Sequence, residues 1–247
     1  MHGSKISLLT WFLAAHLLST HSNGMSALQL QAKLGLGSYK TAWLLLAKLR
    51  RSMVNPERTR LEGVVEMDET FIPYRTKHDP VNPVGGRSKI GRIQVIGAVE
   101  VHEEEVSADD GESVVIKHWL GRIRLESAPD AGRLAIEGFC VKNLEDSTAI
   151  AADGFQSYKA LSERSVTVKT RPYMEAHVSL PWIHRVFSNL KTWALGVHHG
   201  LRRKHIQSYL NEFVFRWNRR RLFRSAFDTL IGIGTRLKPV TYRQIIA

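Results

Sequence analysis

Apolar residues recur at helical spacing through the N-terminal part of the chain and are interrupted by short polar turns. This pattern predicts helices over residues 6–19, 27–34 and 39–51. Ser26 and Ser38 stand immediately before the second and third helices, where N-cap residues are found. The intervening "GLG" supplies a turn, so the pair forms either a helix-turn-helix or a plain helical hairpin.

The third helix has a clear division between an inner and an outer side. Its inner positions are predicted to be Ala42, Leu45, Leu46 and Leu49. The first helix, "ISLLTWFLAAHLL", has the length of the apolar part of a signal peptide but is too short to span a bilayer. No small-x-small cleavage site follows it, so we expect a buried helix of the folded protein.

Period-two alternation replaces helical spacing after the polar linker "NPERTR". The predicted strands cover residues 63–72, 92–101, 121–128, 147–155 and 165–171. The fourth is nearly all apolar and is expected to be buried on both faces. The acidic "HEEEVSADDGE" is expected to be a solvated hairpin tip, and Asp130 is placed to cap a helix over 131–143. Two further helices are predicted over 180–197 and 203–219.

The order of these elements predicts the fold class. Three meandering strands followed by alternating helices and strands are typical of an α/β fold with a mixed sheet flanked by helices. A small all-α module precedes it. The predicted domains are residues 1–55, a helix-turn-helix module; 60–224, the α/β domain; and 225–247, a C-terminal tail.

The net charge of the chain indicates what kind of partner the protein binds. With 35 Lys and Arg against 23 Asp and Glu, the chain carries a formal charge of +12. Such a balance favours a polyanionic partner, most often nucleic acid, with an anionic membrane surface as the alternative. The single cysteine, Cys140, excludes an internal disulfide and a cysteine zinc site, and its apolar helix indicates a core position.

The basic residues concentrate on two parts of the chain. Between Arg185 and Arg224, Glu212 is the only acidic residue, which is the footprint of phosphate binding. The predicted DNA-binding residues are Lys40, Lys48, Arg50, Arg51, Arg185, Arg202, Arg203, Lys204, Arg216, Arg219 and Arg220.

Two aspartates on separate predicted strands are candidates for catalysis. Asp68 lies in the first strand, within "EMDET", and Asp153 lies at the end of the fourth, within "AADGF". A sheet that puts these strands side by side would bring the carboxylates together at a strand end, where sites gather. The flanking Glu66 and Glu69 are expected to point away from Asp68 and to have structural roles.

A histidine and a lysine are aligned on the helix within "LPWIHRVFSNLKTWALGVHHG". His184 precedes Lys191 by seven residues, which is within about 20° of two full turns and about 10.5 Å along the axis. The two side chains therefore share one side of the helix.

The stretches "VEMDETFI", "ADGFQSYKAL" and "LPWIHRVFSNLKTWALGVHHGLRRKHIQSYLNEFVFRWNRRR" resemble the DDE transposases of bacterial insertion sequences, in the ISXO-like branch. The resemblance covers residues 60 to 224. It implies an RNase-H-like catalytic domain that cleaves and transfers DNA strands with divalent metal ions. The family usually begins with a cysteine zinc ribbon, which this sequence lacks, so a truncated copy or a partial reading frame is expected.

The resemblance also assigns roles to residues. It implies a catalytic set of Asp68, Asp153, His184 and Lys191, in which the first three bind two Mg²⁺ or Mn²⁺ ions. His184 stands where the family has its third ligand, and Lys191 would hold a DNA phosphate. Glu212 is the rival third ligand, although it could simply pair with Arg216 one turn later.

The same resemblance implies partners and location. We expect binding to duplex DNA at transposon ends and targets, homo-oligomers on DNA, no membrane association, and a bacterial cytoplasmic protein at the nucleoid. The alternative function is a transposase with impaired catalysis that acts only by binding DNA.

Overall fold

The computed structural model describes residues 4–74, 91–107, 114–153, 161, 167–170 and 179–246. They divide into two compact units. One unit combines Met1–Arg58 with Thr192–Ala247, and the other is Thr59–Lys191. The sequence-based boundaries differ from this division, because the chain after residue 192 groups with the N-terminal helices.

The described helices are α1 (Leu8–Thr20), α2 (Ala27–Leu34), α3 (Tyr39–Arg51), α4 (Arg133–Asn143), α5 (Pro181–His198), α6 (Ile206–Asn218), α7 (Phe223–Arg236) and α8 (Tyr242–Ile246), with a 3₁₀ turn at Arg203–His205. The strands are β1 (Val64–Pro73), β2 (Arg92–Ser107), β3 (Val114–Ala128), β4 (Ala149–Ala152) and β5 (Thr167–Thr170). Within the described part of the chain, no helix is long and apolar enough to cross a membrane.

Local capping explains where the N-terminal helices begin and end. Ser26 and Gln29 form a reciprocal capping box at the start of α2, and Gly35 ends that helix in the left-handed conformation with φ of 61°. Ser38 occupies the N-cap position of α3 but makes no capping hydrogen bond through its side chain. At α4 the N-cap is Gly132, whose N–H donates to the Asp130 carboxylate at 2.7 Å.

The helical unit contains an apolar core around α3. It joins the inner side of α3, which contains the four positions predicted from the sequence, to side chains of α1 and α2. Phe215 of α6 and Leu230 of α7 belong to the same cluster. The residues expected to form a C-terminal tail therefore include a packed helix, because α7 presents Ala226, Leu230 and Ile233 to this core.

The other unit is built on a mixed five-stranded sheet of order β3-β2-β1-β4-β5. Strands β1, β2 and β3 are antiparallel neighbours, whereas β4 pairs parallel with both β1 and β5. The predicted α/β architecture is confirmed. Strand β2 continues through the first acidic residues instead of turning there, since Glu103–Glu105 pair with His118–Ile116 of β3. The rest of the expected hairpin tip, residues 108–112, lies outside the described residues.

Alternation along β1 assigns its side chains to two faces. Val65 and Met67 join Ile136, Phe139 and other residues around α4 in an apolar cluster, which also contains Cys140 as predicted. The opposite face of β1 carries Glu66 and Asp68. Burial of β4 on both faces was wrong: Ile150 and Ala152 are buried, but Ala149 and Ala151 are partly exposed.

Helix α5 lies against the face that carries Asp68. Gly97 of β2 is the cross-strand partner of Asp68, and the Phe187 ring of α5 packs directly over it. A Cβ atom at position 97 would lie 2.6 Å from the Phe187 ring. The absence of a side chain at Gly97 therefore allows this close approach of α5 to the sheet.

Candidate active site

Asp68 lies inside β1 with only 6% of its surface exposed. Burial raises the pKa of its carboxyl to about 7, and the negative charges of Glu69 and Asp153 act in the same direction. The backbone N–H of Glu69 and the ammonium of Lys191 oppose this rise. A carboxylate that is costly to ionise in isolation gains strongly from a cation beside it.

Strand register brings Asp153 to the same place. The parallel pairing of β1 with β4 sets Val64 opposite Ala149 and Glu66 opposite Ala151. Two residues further along both strands, this register puts Asp153 next to Asp68. Neighbouring strands lie about 4.8 Å apart, and residues in register share a face of the sheet. The effect of the Asp153 charge on the Asp68 pKa agrees with this arrangement.

His184 reaches the same carboxylate from α5. Its Nε2 atom lies 3.2 Å from Oδ2 of Asp68. The imidazole contacts the Phe187 ring edge-on, with 6.4 Å between ring centroids. The packing of Phe187 over Gly97 and the position of His184 one turn earlier are therefore parts of one helix–sheet contact.

Lys191 is exposed on the same side of α5, two turns after His184. Partial burial of its ammonium and the positive charge of Arg92 lower its pKa, and Asp68 opposes that change. Arg92, the first residue of β2, was not among the site residues chosen from the sequence. The charges of Asp68 and Arg92 thus act on Lys191 in opposite directions.

Glu66 is the second residue that the sequence analysis missed. Its Oε2 accepts hydrogen bonds from the backbone N–H groups of Trp182 at 2.8 Å and Ile183 at 2.9 Å. The expectation that Glu66 points away from Asp68 was wrong, because residues two apart on a strand share a face. Only Glu69, one residue away, lies on the opposite face. Correct use of the period-two rule would have placed Glu66 beside the site.

The donor atoms suit a divalent cation. Two carboxylates supply the hard oxygen ligands that Mg²⁺ prefers, and a neutral imidazole is better tolerated by Mn²⁺. Adjacent ligands of an octahedral ion with bonds near 2.1 Å lie about 3 Å apart, close to the distance between Asp68 and His184. Among the described residues, no group of three or more His, Cys, Asp or Glu side chains is already arranged to hold a metal ion.

Two of the predicted DNA-binding arginines are used inside the helical unit instead. Arg50 is 2% exposed, and its Nε donates to Glu212 at 2.6 Å. Arg216 donates to the backbone carbonyls of His21 and Ser22. Arg50 is therefore inaccessible to DNA, because a count of charges does not show which side chains turn inward, whereas the assignment of the partly exposed Arg216 stays a prediction.

Glu212 also differs from its prediction. It forms an ion pair with Arg50 instead of Arg216, and it is 0% exposed. A fully buried carboxylate that already binds a guanidinium has no access to a metal ion from solvent. The structure therefore gives no support to Glu212 as the third ligand.

The remaining basic residues fall into two groups. Those with exposed side chains are Lys40, Arg51, Arg185, Arg202, Arg203 and Lys204. Lys48, Arg219 and Arg220 are partly buried. The guanidinium of Arg219 lies 4.1 Å from the Phe215 ring centroid, and that of Arg220 lies 4.9 Å from Trp217. Burial lowers the pKa of both groups, although an arginine remains charged at neutral pH.

Comparisons with solved structures gave distant similarities. The chain is similar, with 13% identity and a TM-score of 0.38, to the cryo-EM structure of a simian T-cell lymphotropic virus intasome in complex with PP2A regulatory subunit B56 gamma, over 85% of this chain and 73% of that one. It is also similar to the Mos1 transposase paired-end complex with the left transposon end, with 11% identity and a TM-score of 0.35, over 96% and 82%. The Mos1 mariner paired-end complex with Mn gives 10% and 0.33 over the same shares.

Comparison with family models gave the decisive result. No curated protein matches the chain. The model of the ISXO2-like transposase domain, a DDE transposase family, matches residues 60–218. This range contains β1, β4 and α5, and hence Asp68, Asp153, His184 and Lys191. Because the match covers well over half of the sequence, the protein belongs to the ISXO2-like transposase domain family.

Proposed function

We propose that this transposase cleaves DNA and transfers its strands in a metal-dependent reaction at Asp68, Asp153 and His184. The observation that carries the proposal is the 3.2 Å approach of His184 Nε2 to the buried Asp68 carboxylate, beside β4, which Asp153 directly follows. These are the residues at the family's ligand positions, and they come from three elements far apart in the sequence.

Each side chain has a role that follows from its chemistry. Asp68 and Asp153 would bind divalent cations through carboxylate oxygens, and His184 through a neutral imidazole. Bound Mg²⁺ or Mn²⁺ ions would activate the attacking oxygen and stabilise the leaving oxygen of a phosphodiester. Lys191 would hold a substrate phosphate as a point charge at the rim of the site.

The proposed substrate is duplex DNA, both at the ends of the mobile element and at the target. The exposed cations Lys40, Arg51, Arg202, Arg203 and Lys204 would neutralise phosphates and make binding dependent on salt. A homo-oligomer on DNA is proposed because two ends must be joined in one event. The α2–α3 pair would act as the helix-turn-helix that reads bases.

The alternative function is a DNA-binding protein without catalysis. It is favoured by one observation: the third position is held by His184, which is a poorer Mg²⁺ ligand than a carboxylate. Such a protein would bind the ends of its element with the same salt dependence and would leave the DNA intact.

A cleavage assay distinguishes the two functions. The substrate is a duplex that carries the inverted repeat flanking the gene, labelled at both strands, with Mg²⁺ or Mn²⁺ added. We expect nicking at the repeat end and joining to a target plasmid, both lost in Asp68→Asn and Asp153→Asn. Asp146→Asn, at an exposed turn of the same unit, is the matched control and should keep full activity. Tight binding without cleavage in either metal would favour the alternative.

A further inference from the structure

We propose that Glu66 is a positioning residue that anchors the start of α5 to β1 and thereby holds His184 against Asp68. The inference rests on the proposed function, since it names what fixes the geometry of that site. It concerns a carboxylate that neither binds the substrate nor takes part in the reaction.

The contacts of Glu66 connect β1 to the start of α5, and His184 on α5 in turn lies against Asp68 of β1. One carboxylate oxygen accepts from Trp182 N–H at 2.8 Å and from Ile183 N–H at 2.9 Å. The residue after Ile183 is His184, whose Nε2 lies 3.2 Å from Asp68. Asp68 in turn follows Glu66 by two residues on the same face of β1, about 6.7 Å along the strand. A shift of the start of α5 away from β1 would therefore break these two hydrogen bonds and carry His184 away from Asp68.

The position of Glu66 at the start of α5 makes this anchor strong. Helix α5 begins at Pro181, so the N–H groups of Trp182 and Ile183 have no partner within the helix. Charge-assisted hydrogen bonds to a carboxylate are shorter and stronger than neutral ones. The helix dipole adds to the attraction at its N-terminal end. Glu66 is 7% exposed, so water is a poor substitute for either bond.

A positioning role differs from a direct role in how conservative variants behave. Glu66→Gln keeps an oxygen at the same reach and loses the charge, whereas Glu66→Asp keeps the charge and withdraws the oxygen by one methylene. Anchoring requires an oxygen that reaches both N–H groups, and the charge only strengthens the bonds, so Gln should largely substitute and Asp should not. A direct electrostatic or metal-binding role would reverse this order.

The test combines single-turnover cleavage with measurements on the metal-free protein. We expect Glu66→Asp and Glu66→Ala to slow cleavage by about 10- to 100-fold, as is typical of residues that orient ligands, with unchanged DNA affinity. Glu66→Gln should stay within about fivefold of wild type, the equivalent of one neutral hydrogen bond. In the absence of metal, amide exchange at Trp182 and Ile183 should become fast in the Asp and Ala variants and remain slow in Gln. The ¹⁵N shifts of the His184 imidazole should follow the same order.

Glu100 provides a matched control for lost stability. It is a buried carboxylate on β2, opposite Val65 of β1, and it binds Arg122 and the Glu62 N–H instead of α5. Glu100→Gln should lower the melting temperature without a change in the cleavage rate of the folded protein. If Glu66→Ala does not fold, the contrast between Asp and Gln still decides.

Two outcomes would overturn the inference. Wild-type cleavage in Glu66→Asp, with exposed amides at Trp182, would mean that the anchor does not set the site. An inactive Glu66→Gln beside an active Glu66→Asp would mean that the charge acts directly. Failure of the proposed function looks different, since wild type itself would not cleave while the exchange and imidazole measurements would still follow the Glu66 substitutions.

Discussion

Arg50 Nε lies 2.6 Å from Glu212 Oε2, and the two side chains are 3% and 0% exposed. The Arg50 guanidinium also covers the Tyr209 ring, 4.1 Å from its centroid. This pair joins α3 to α6 within the helical unit and holds an arginine that the sequence assigned to DNA. Removal of one partner of a buried ion pair is strongly destabilising, because the remaining charge stays buried without a counter-charge.

We therefore predict that Arg50→Ala destabilises the protein by about 3–5 kcal/mol, because it leaves the Glu212 carboxylate buried without a partner. Urea denaturation followed by far-UV circular dichroism measures the change. The double variant Arg50→Met with Glu212→Leu should recover most of the loss, since it removes both buried charges.

Arg51→Ala is the control for the neighbouring exposed cation. It should leave stability almost unchanged and reduce the slope of log affinity against log salt by about 0.9, the effect of one phosphate contact. Loss of DNA affinity in a fully stable Arg50→Ala would contradict the structural role of this ion pair.

A second prediction concerns the histidine in the site. His184→Ala should abolish cleavage and leave DNA binding intact, because the imidazole is a proposed ligand and the DNA-binding cations remain. His184→Glu should keep or improve activity with Mg²⁺, whereas wild type should prefer Mn²⁺. Cleavage of an end substrate in each metal measures these effects.

Asn189→Ala tests whether a loss in His184→Ala is specific, since Asn189 is exposed elsewhere on α5. We expect wild-type cleavage and binding from it. Full activity of His184→Ala would remove His184 from the catalytic set.

A third prediction follows from the shared core of the helical unit. Deletion of residues 1–55 removes α1, α2 and α3, so it exposes Phe215, Leu230 and Ile233 to water. The truncated protein should aggregate or bind a hydrophobic dye such as ANS, and DNA recognition by α3 cannot be tested by truncation. Tyr39→Ala, at an exposed position at the start of α3, should instead weaken discrimination between end and random DNA in a folded protein, whereas loss of a phosphate-binding cation should weaken binding to both. Competition binding measures that ratio, and an unchanged ratio would contradict a recognition role for α3.

A fourth prediction concerns pH. Burial lowers the pKa of His198 to about 3, and the charges of Arg50, Arg216 and His199 add to the effect. The imidazole lies between the Trp193 and Tyr209 rings. The unfolded chain takes up this proton near the ordinary pKa of 6.5, so stability is fully present above pH 6.5. It should fall by up to about 1.4 kcal/mol per pH unit as pH decreases toward 3.

Denaturation curves of His198→Phe against pH isolate this contribution, since the variant keeps an aromatic ring and loses the titration. The difference from wild type should depend on pH between 6.5 and 3. His199→Asn is the control at an exposed neighbour with φ of 52°, a conformation that Asn tolerates. A constant difference between His198→Phe and wild type would mean that His198 is not buried in its neutral form.

The sequence predicted correctly those helix bounds that are set by hydrogen bonds between residues close in the chain. The bounds of α2 and α3 agree with the sequence analysis, because Ser26 with Gln29 and the left-handed Gly35 punctuate the chain by short-range hydrogen bonds. The extension of β2 through acidic residues was missed, since cross-strand pairing with β3 outweighs the low strand propensity of Glu.

The sequence analysis named side chains that the structure brings together, but not the contacts that hold them there. Family resemblance selected Asp68 and His184, which the structure brings within 3.2 Å. The role of Glu66 depends on a contact with α5 more than a hundred residues away, and no local pattern encodes it. The burial of Arg50 likewise depends on a tertiary contact. An arginine is found on the surface or in the core according to whether the fold places a carboxylate beside it.

The pairing of β1 with β4 has a consequence for how this sequence tolerates insertions and deletions. Asp68 and Asp153 each stand two residues beyond the paired Glu66 and Ala151. Gain or loss of one residue between Glu66 and Asp68, or between Ala151 and Asp153, would move a carboxylate to the other face of the sheet, into the apolar cluster around α4. Changes of length elsewhere between the two strands leave both of these intervals unchanged. Among homologous genes, we therefore expect alignment gaps to be common between β1 and β4 and absent from residues 66–68 and 151–153.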